Sequence, residues 1–429
     1  MNVPTFAQKN KLILYFAMLF SQSMAWGQTS KQEIFNTPEK SAGVAYAYPA
    51  RDITPATPAP QGYTPVYISH FGRHGSRYLV EDKEYKEVLD VFDQAGKSDA
   101  LTLLGKNVHE RLRTIWEEAK GHGGDLTPLG LNQLIGIAER MYRQYPEAFK
   151  PGAKISAVST TIGRCIRSMD IFCEKLGTLD TNLVIAKSAD PKHMEYLNHH
   201  TKEAVRFRYA ADTWKKGYNK FEKEHVHPDR LMASLFSSKA YLKENIKPAS
   251  LMWELYNVAS ILQDMPTSVS LYDIFEKEEL FDLWQCKNYS LYVQYANAAE
   301  NKGIMMNNAK PLLQNIIDNA NTVIHTGGHG ADFRFGHDGN IIPLGLLLHL
   351  NGCYNSEINP ENFYKAWADF KVAPMAANIQ IAFFKKNNSD DILVKFLYNE
   401  NEILVPPVKS DLLPFYHWSD VLKYYKSLL

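Results

Sequence analysis

The chain is short of cysteine, carries no net charge and has no apolar run long enough to cross a bilayer, and each shortage narrows what it can be. Only four cysteines, Cys165, Cys173, Cys286 and Cys353, occur among 429 residues. None sits in a Cys-x-x-Cys or Cys/His grouping, so neither a metal site nor a cofactor is expected from them. Lysine plus arginine (47) balances aspartate plus glutamate (47). Without a surplus positive field the chain cannot gather nucleic acid or acidic membranes, so any anion site must be built locally. The apolar run Leu12 to Phe20 (LILYFAMLF) falls short of the roughly 20 residues a span needs, which excludes a stable membrane anchor. There is no internal repeat and no low-complexity tract.

What is present begins with an export signal. Lys9 and Lys11 form a positive region, Leu12 to Phe20 the apolar core, and Ala25-Trp26-Gly27 places small residues for cleavage before Gln28. Residues 1–27 are therefore expected to be a signal peptide, and the mature chain periplasmic or secreted. Cleavage removes two lysines and no acid, taking the formal charge from 0 to −2. The first cysteine is Cys165, so no N-terminal cysteine can take a lipid. Export permits disulfides. Cys165 and Cys173 fall on one expected helix, where eight residues at about 1.5 Å rise separate them by roughly 12 Å, too far to bridge. Two disulfides would pair each of them with Cys286 or Cys353; four free buried thiols are the equal alternative.

Residues 28–65 form a lead-in rich in Pro, Thr and Ala from Pro49 to Pro65. Val66 to Phe71 reads as a buried strand running into Arg73-His74-Gly75. Helical spacing covers 83–96 and 105–120, and Thr127 then caps a helix whose first residue is Pro128. Ile155 to Val158 is a second strand, followed by a helix from near Arg164 whose core face is Ile166, Met169, Cys173 and Leu176. Residues 180–320 read as mostly helical. Strands return at Thr322 to His325 and Phe333 to Gly336, then a helix (IIPLGLLLHL) stopped by Asn351-Gly352. Ala377 to Phe384 and Ile392 to Tyr398 read as paired strands. The order predicts one α/β domain, 66–178 and 321–429, with a helical insertion at 179–320.

Three loops follow strands and carry a His or Arg just past the strand end: Arg73–Arg77, Ser159–Arg164 and His337–Asp338. In α/β sheets ligands bind at the carboxyl ends of strands, so these residues are expected to share a pocket. Arg73, Arg77 and Arg164 supply permanently charged forks that match phosphate oxygens, and Arg164 lies in the first turn of its helix, where backbone N–H groups favour an anion. His74 is the candidate nucleophile and Asp338 the candidate acid for the leaving alkoxide, with His337 donating to a phosphate oxygen. Each part alone has a bland reading, as a chance tripeptide, a solvated cap or a surface ion pair; their joint presence after strands is what points to chemistry. His325 and His329, beside Gly327-Gly328, read as structural, and that loop lacks the Lys-Ser/Thr pair of a nucleotide cradle. His199-His200 and His225-Val226-His227 have no ligand-spaced partner and read as solvent-exposed.

These motifs resemble the branch-two histidine phosphatases (histidine acid phosphatases and phytases), and within them the multiple inositol polyphosphate phosphatase group. Arg73-His74-Gly75-Ser76-Arg77 is similar to the catalytic Arg-His-Gly-x-Arg. Leu126-Thr127 with Gly130 and Gln133 is similar to the family's Leu-Thr…Gly…Gln helix start. Arg164-Cys165-Ile166-Arg167-Ser168 is similar to Arg-Cys-x-x-Ser, whose Arg binds phosphate. Phe335-Gly336-His337-Asp338 with IIPL is similar to the His-Asp proton-donor motif, and Pro374-Met375-Ala376-Ala377-Asn378 to the late strand. The resemblance implies a phosphoglycerate-mutase-like α/β core with a central, mainly parallel sheet and an inserted helical domain roofing the pocket. It further implies His74 as the phosphorylated nucleophile, Asp338 as general acid, and Arg73, Arg77, Arg164 and His337 as phosphate ligands, with no metal.

Two positions depart from the pattern. Leu79 stands where the first motif usually has Pro, and His337-Asp338-Gly339 stands where the inositol polyphosphate phosphatases carry His-Ala-Glu. The second is the acid phosphatase and phytase form; the leading expectation is hydrolysis of inositol polyphosphates such as phytate (inositol hexakisphosphate), with a sugar-phosphate or broad-specificity acid phosphatase of the same fold as the alternative. A non-catalytic phosphate-ligand binding protein is the alternative outside enzymology. A phosphoryl mutase sharing the Arg-His-Gly loop fits poorly with an export signal. Between His199 and Pro248 there are 11 Lys/Arg and 6 Asp/Glu, an excess of 5. Lys215, Lys216, Lys220 and Lys223 are therefore candidate contacts for distal phosphates, the equal alternative being a solvated helical face.

Overall fold

The computed structural model describes residues 30–429, and of Arg51 the backbone only; the expected signal peptide lies outside the described residues. Strand β1 (Tyr63–Arg73) is buried from Val66 onward. A strand covered on both faces needs a near-continuous apolar run, and Val66-Tyr67-Ile68 with Phe71 supplies it. Seven further strands share its sheet: β2 (Lys154–Ser159), β3 (Ile185–Ser188), β4 (Gly330–Gly336), β5 (Asn378–Lys386), β6 (Ile392–Tyr398), β7 (Asn401–Ile403) and β8 (Phe415–His417). Their order is β3-β2-β4-β1-β5-β6-β7, with β8 on β6. The half formed by β3, β2, β4 and β1 is parallel, and β5 joins β1 antiparallel.

Helices α1 (Lys83–Lys97), α2 (Leu103–Ala119), α3 (Pro128–Gln144) and α4 (Gly163–Leu179) follow β1 and β2. On one sheet face Leu134, Ile137 and Met141 of α3 and Met169, Phe172 and Leu176 of α4 pack with Ile68, Ile155, Phe333 and Phe335 of the strands. The other face meets a larger core that includes α1, α2 and most of the chain between β3 and β4. That stretch is helical and includes α5 (Lys202–Tyr209), α6 (Lys215–His225), α7 (Lys277–Tyr295) and α8 (Lys310–His325). Helix α9 (Asp338–Leu347) follows β4. The expected mixed α/β fold with flanking helices is what these elements form. No described helix is long and apolar enough to cross a membrane.

Register brings the three loops together. Arg73 of β1 pairs with Gly336 of β4, and Ser159 of β2 with Phe335 of β4. Parallel strands ending level must release their next residues, His74, Thr160 and His337, along one edge.

The sequence reading needs correction at several places. Thr322 to His325 is the last turn of α8, not a strand: Leu312, Leu313, Ile316, Ile317 and Ala320 are buried at helical spacing, and that amphipathic face outweighs the β preference of Val323 and Ile324. The returning strand begins instead at Gly330, where a Cβ would lie 2.0 Å from the Lys154 carbonyl oxygen. The edge strand β3 was not anticipated and lies beyond 178, the expected edge of the first α/β segment. The lead-in is part of the fold, with Ser41, Ala42 and Gly43 buried. Of the two alternatives left open for the cysteines, the second holds: all four are buried free thiols.

Candidate active site

Arg73 leaves β1 fully buried, at 1% exposure. Its guanidinium donates to the carbonyls of Val44 and Ala373 and meets the Asp338 carboxylate at 3.1 Å. The next residue, His74, is 2% exposed. Its backbone N–H donates to Gly336 O (3.1 Å), which ties the loop to the end of β4. The ring Nδ1 lies 2.9 Å from Gly75 O. A carbonyl only accepts, so the proton sits on Nδ1, and Nε2 keeps its lone pair.

The loop is held from beneath by α3. Ser76 N–H donates to Gln133 Oε1 (2.9 Å) and Gln133 Nε2 donates to Ser76 Oγ (2.8 Å). Thr127 caps α3 as expected, accepting from Gly130 N–H (3.2 Å). The fit is close: a Cβ on Gly75 would lie 2.6 Å from Gly130 O, and one on Gly130 would lie 2.1 Å from Ser76 O. Gly75 N–H reaches Ser168 Oγ (3.3 Å) on α4. Leu79, in the place of the expected Pro, donates its N–H to Tyr85 Oη (2.8 Å), a bond proline cannot make.

His337 and Asp338 arrive from β4 at the start of α9, with His337 in the N-cap position but making no side-chain cap hydrogen bond. Its ring stands 5.7 Å from that of His74 and 3.4 Å from Thr160 Oγ1. Asp338 accepts from Gly339 N–H (2.7 Å). Arg164, in the first turn of α4, completes the set. Arg73, His74, Arg77, Arg164, His337 and Asp338 all line one cavity of about 360 Å³.

The electrostatics follow from burial and from three neighbouring guanidinium groups. Burial, then the charges of Arg73, Arg77 and Arg164, hold His74 well below the ordinary imidazole range. His337 is pushed down to about 4 by burial and Arg164, and Arg77 to about 10 by burial and Arg73. Both histidines are therefore neutral and Arg77 is charged near neutral pH. Burial alone would raise Asp338, but the charge of Arg73, then His337, the Gly339 N–H and Arg77, bring it below the usual carboxylate value. The cavity thus offers a neutral nitrogen nucleophile inside a ring of fixed positive charge, with a carboxylate at its edge. That is what transfer of a phosphoryl group requires.

The cavity also has a wall the sequence reading missed. Asn198, His200 and Tyr295 come from the helical stretch between β3 and β4, and Asn340 from α9. Expected exposure fails for His200, which is half-buried in this wall. His225 is half-buried against Phe221 and within 3.4 Å of Glu361, while His227 is exposed. No motif marks His200 or Tyr295; only the packing of the helices brings them to the strand ends. Arg208 lies behind Tyr295, its guanidinium 4.2 Å from the ring centre and bonded to the phenol oxygen. The candidate lysines are not brought to the site: Lys215, Lys216, Lys220 and Lys223 lie on α6, and none lines the cavity. His325 and His329 do not line it either. Among the described residues no group of three or more His, Cys, Asp or Glu is placed to hold a metal ion.

Known proteins share this fold. The chain is similar over 90% of its length to a Bifidobacterium longum multiple inositol polyphosphate phosphatase in complex with phosphate, covering 97% of that chain at 18% identity and a TM-score of 0.74. With the same protein in complex with inositol hexasulfate the TM-score is 0.72. A phytase from D. castellii aligns over 91% of this chain and 85% of its own, at 13% identity and a TM-score of 0.64. At these identities the likeness speaks for the fold. No curated protein matches the chain in sequence. The family described as histidine phosphatase superfamily (branch 2) matches residues 71–399, from the end of β1 to just past β6, a span that includes the three loops at the strand ends. The chain therefore belongs to branch 2 of the histidine phosphatase superfamily, and is a phosphomonoesterase of that family.

Proposed function

We propose that the protein hydrolyses phosphomonoesters through a phosphohistidine on His74, and that its substrates are inositol polyphosphates such as phytate. The observation that carries the mechanism is the unprotonated Nε2 of His74, fixed by the Nδ1 contact to Gly75 O inside the Arg73, Arg77 and Arg164 ring. Nε2 attacks phosphorus, the P–O ester bond breaks, and the departing oxygen takes a proton from Asp338. Asp338 then accepts a proton from the water that cleaves the P–N bond, releasing phosphate and restoring both residues. The three guanidinium groups and His337 hold the equatorial oxygens as charge shifts from the ester to the leaving group. Positive charge comes from arginine throughout, so activity is expected to survive a chelator.

Support for the substrate comes from the structural relatives, one of which is a complex with inositol hexasulfate, a sulfated inositol. A sugar phosphate or a broad range of monoesters is the second reading, favoured by Asp338 standing where inositol polyphosphate phosphatases carry Ala-Glu. Export to the periplasm or medium rests on the leader-like residues 1–27. The test is phosphate release from inositol hexakisphosphate, glucose 1-phosphate and an aryl phosphate, with and without chelator, and acid-quench trapping of the phosphoenzyme. His74→Ala should release no phosphate and trap no label. A fully active His74→Ala protein sinks the mechanism, and preference for glucose 1-phosphate sinks the substrate.

A further inference from the structure

One buried acid touches the phosphate loop and has no part in the reaction above. Asp264 ends the short helical turn Leu262–Asp264, which continues the helix Pro248–Ile261 of the stretch between β3 and β4. It is 0% exposed. Ser76 Oγ donates to its Oδ1 at 2.6 Å, and Gln133 Nε2 donates to that same Ser76 oxygen at 2.8 Å. Its other oxygen, Oδ2, is buried with no hydrogen-bond partner. The charged groups facing it are Arg73 and Arg77, and the phenol of Tyr272 is its other titratable neighbour.

We infer that Asp264 is a positioning residue that works as a neutral carboxylic acid, orienting Ser76 beneath the phosphate site without spending the positive charge of Arg73 and Arg77. A carboxylate in this place would leave one oxygen buried and unsatisfied, and would place a fixed negative charge beside the two guanidinium groups that must receive a phosphate dianion. A neutral acid avoids the charge and still accepts the Ser76 hydroxyl, and the unpaired O–H it leaves at Oδ2 costs less to bury than an ionised oxygen. Burial accordingly raises Asp264 to about 8, against the lowering effects of Ser76, Arg73 and Arg77. The group is therefore neutral in acid and near-neutral solution and ionises as the medium turns alkaline, where its charge opposes phosphate binding.

This inference rests on Arg73 and Arg77 as phosphate ligands and not on the choice of organic substrate, so the probe is inorganic phosphate. Its affinity for the full-length wild-type protein, Asp264→Asn and Asp264→Ala is measured by calorimetry between about pH 5 and about pH 9. An amide mimics the neutral acid: Asp264→Asn should bind like wild type at about pH 5, within roughly twofold, and should lack the extra weakening, at least about fivefold, that wild type shows by about pH 9. KM for an aryl phosphate should follow the same difference, while kcat, governed by Asp338, should show the same alkaline fall in both proteins. Asp264→Ala, which removes the acceptor of the Ser76 proton, should bind at least about tenfold more weakly at every pH, since it leaves a buried donor unpaired. If Asp264→Ala does not fold, the comparison of wild type with Asp264→Asn still decides. Loss of binding in Asp264→Asn at about pH 5 overturns the inference by showing that the charge is needed. Identical pH profiles overturn it by showing that Asp264 does not ionise in this range. If wild type binds no phosphate at any pH, the arginine reading fails first and the inference falls with it.

Discussion

As the proposed general acid, Asp338 faces two demands that pull its acidity in opposite directions. In the free protein, despite burial, Arg73 at 3.1 Å helps to hold it below the ordinary carboxylate value, yet a general acid must carry a proton. The bound substrate resolves this, because a phosphate dianion on Arg73, Arg77 and Arg164 offsets the field that favours the carboxylate. Proton uptake should accompany phosphate binding, measurable as a dependence of the calorimetric heat on buffer ionisation enthalpy. The leaving group gives a sharper test. Asp338→Asn should lower kcat by about 10²–10⁴-fold for an inositol or sugar phosphate, whose alkoxide needs the proton, and far less for a nitrophenyl phosphate, whose phenolate leaves unaided. Equal losses on both substrates would assign Asp338 to binding alone. His74 imposes no matching limit on the acid side. Its nitrogen stays neutral well below the usual imidazole range, so activity should persist at about pH 5, where a free imidazole would be protonated.

At the scale of elements, the site depends on strand register and on one tight crossing. The level ends of β1, β2 and β4 set the loops side by side, and α3 supports the phosphate loop only because Gly130 lets it come close. Gly130→Ala places a carbon 2.1 Å from Ser76 O, so kcat/KM should fall by at least about tenfold while circular dichroism still reports a folded protein. Wild-type activity in that variant would mean the loop tolerates the shift. Much of this was legible in the sequence: the strands entering Arg73 and His337, the Thr127 cap and the Pro128 start all follow from local chemistry. The end of α8 was not, because Thr322-Val323-Ile324 favours a strand locally and only the buried face from Leu312 to Ala320 decides otherwise. Nor was the burial of His70, which follows from its place on a strand covered on both sides. His70 is stacked on Phe172 with both ring nitrogens unpartnered, and burial with the charge of Arg334 pushes it down to about 3 from an ordinary 6.5. The unfolded chain therefore takes up a proton that the folded one refuses, so this residue costs stability progressively as pH falls from 6.5 toward about 3 and nothing above 6.5. His70→Leu should shrink the difference in Tm between about pH 8 and about pH 4, whatever it does to Tm itself. An unchanged difference would place the acid sensitivity elsewhere.

The whole molecule determines what the phosphate can be attached to, since the sheet edge supplies the charge and the helical stretch supplies the wall opposite. The excess of lysine and arginine between His199 and Pro248 was legible in the sequence, but its direction was not. A helix turns its apolar face to the core, and in α6 that face is Phe221, 5.2 Å from the ring of Tyr289. Lys216, Lys220 and Lys223 are exposed and none of them lines the cavity. The residues that do reach inward, His200 and Tyr295, are single positions without a motif, and Arg208 stands buried behind Tyr295 at 8% exposure. Burying that guanidinium against a phenol keeps a positive charge near the wall and fixes the ring that shapes it. Arg208→Met keeps the bulk and removes the charge. It should raise KM for inositol hexakisphosphate at least about fivefold while leaving KM for a small aryl phosphate within about twofold, because only the larger, more highly charged substrate extends to this wall. Lys216→Glu with Lys220→Glu should leave both values within about twofold, as expected of a solvated face. The opposite pattern, with the lysine pair controlling KM for the polyphosphate and Arg208 inert, would mean that the substrate lies across α6 rather than against Tyr295.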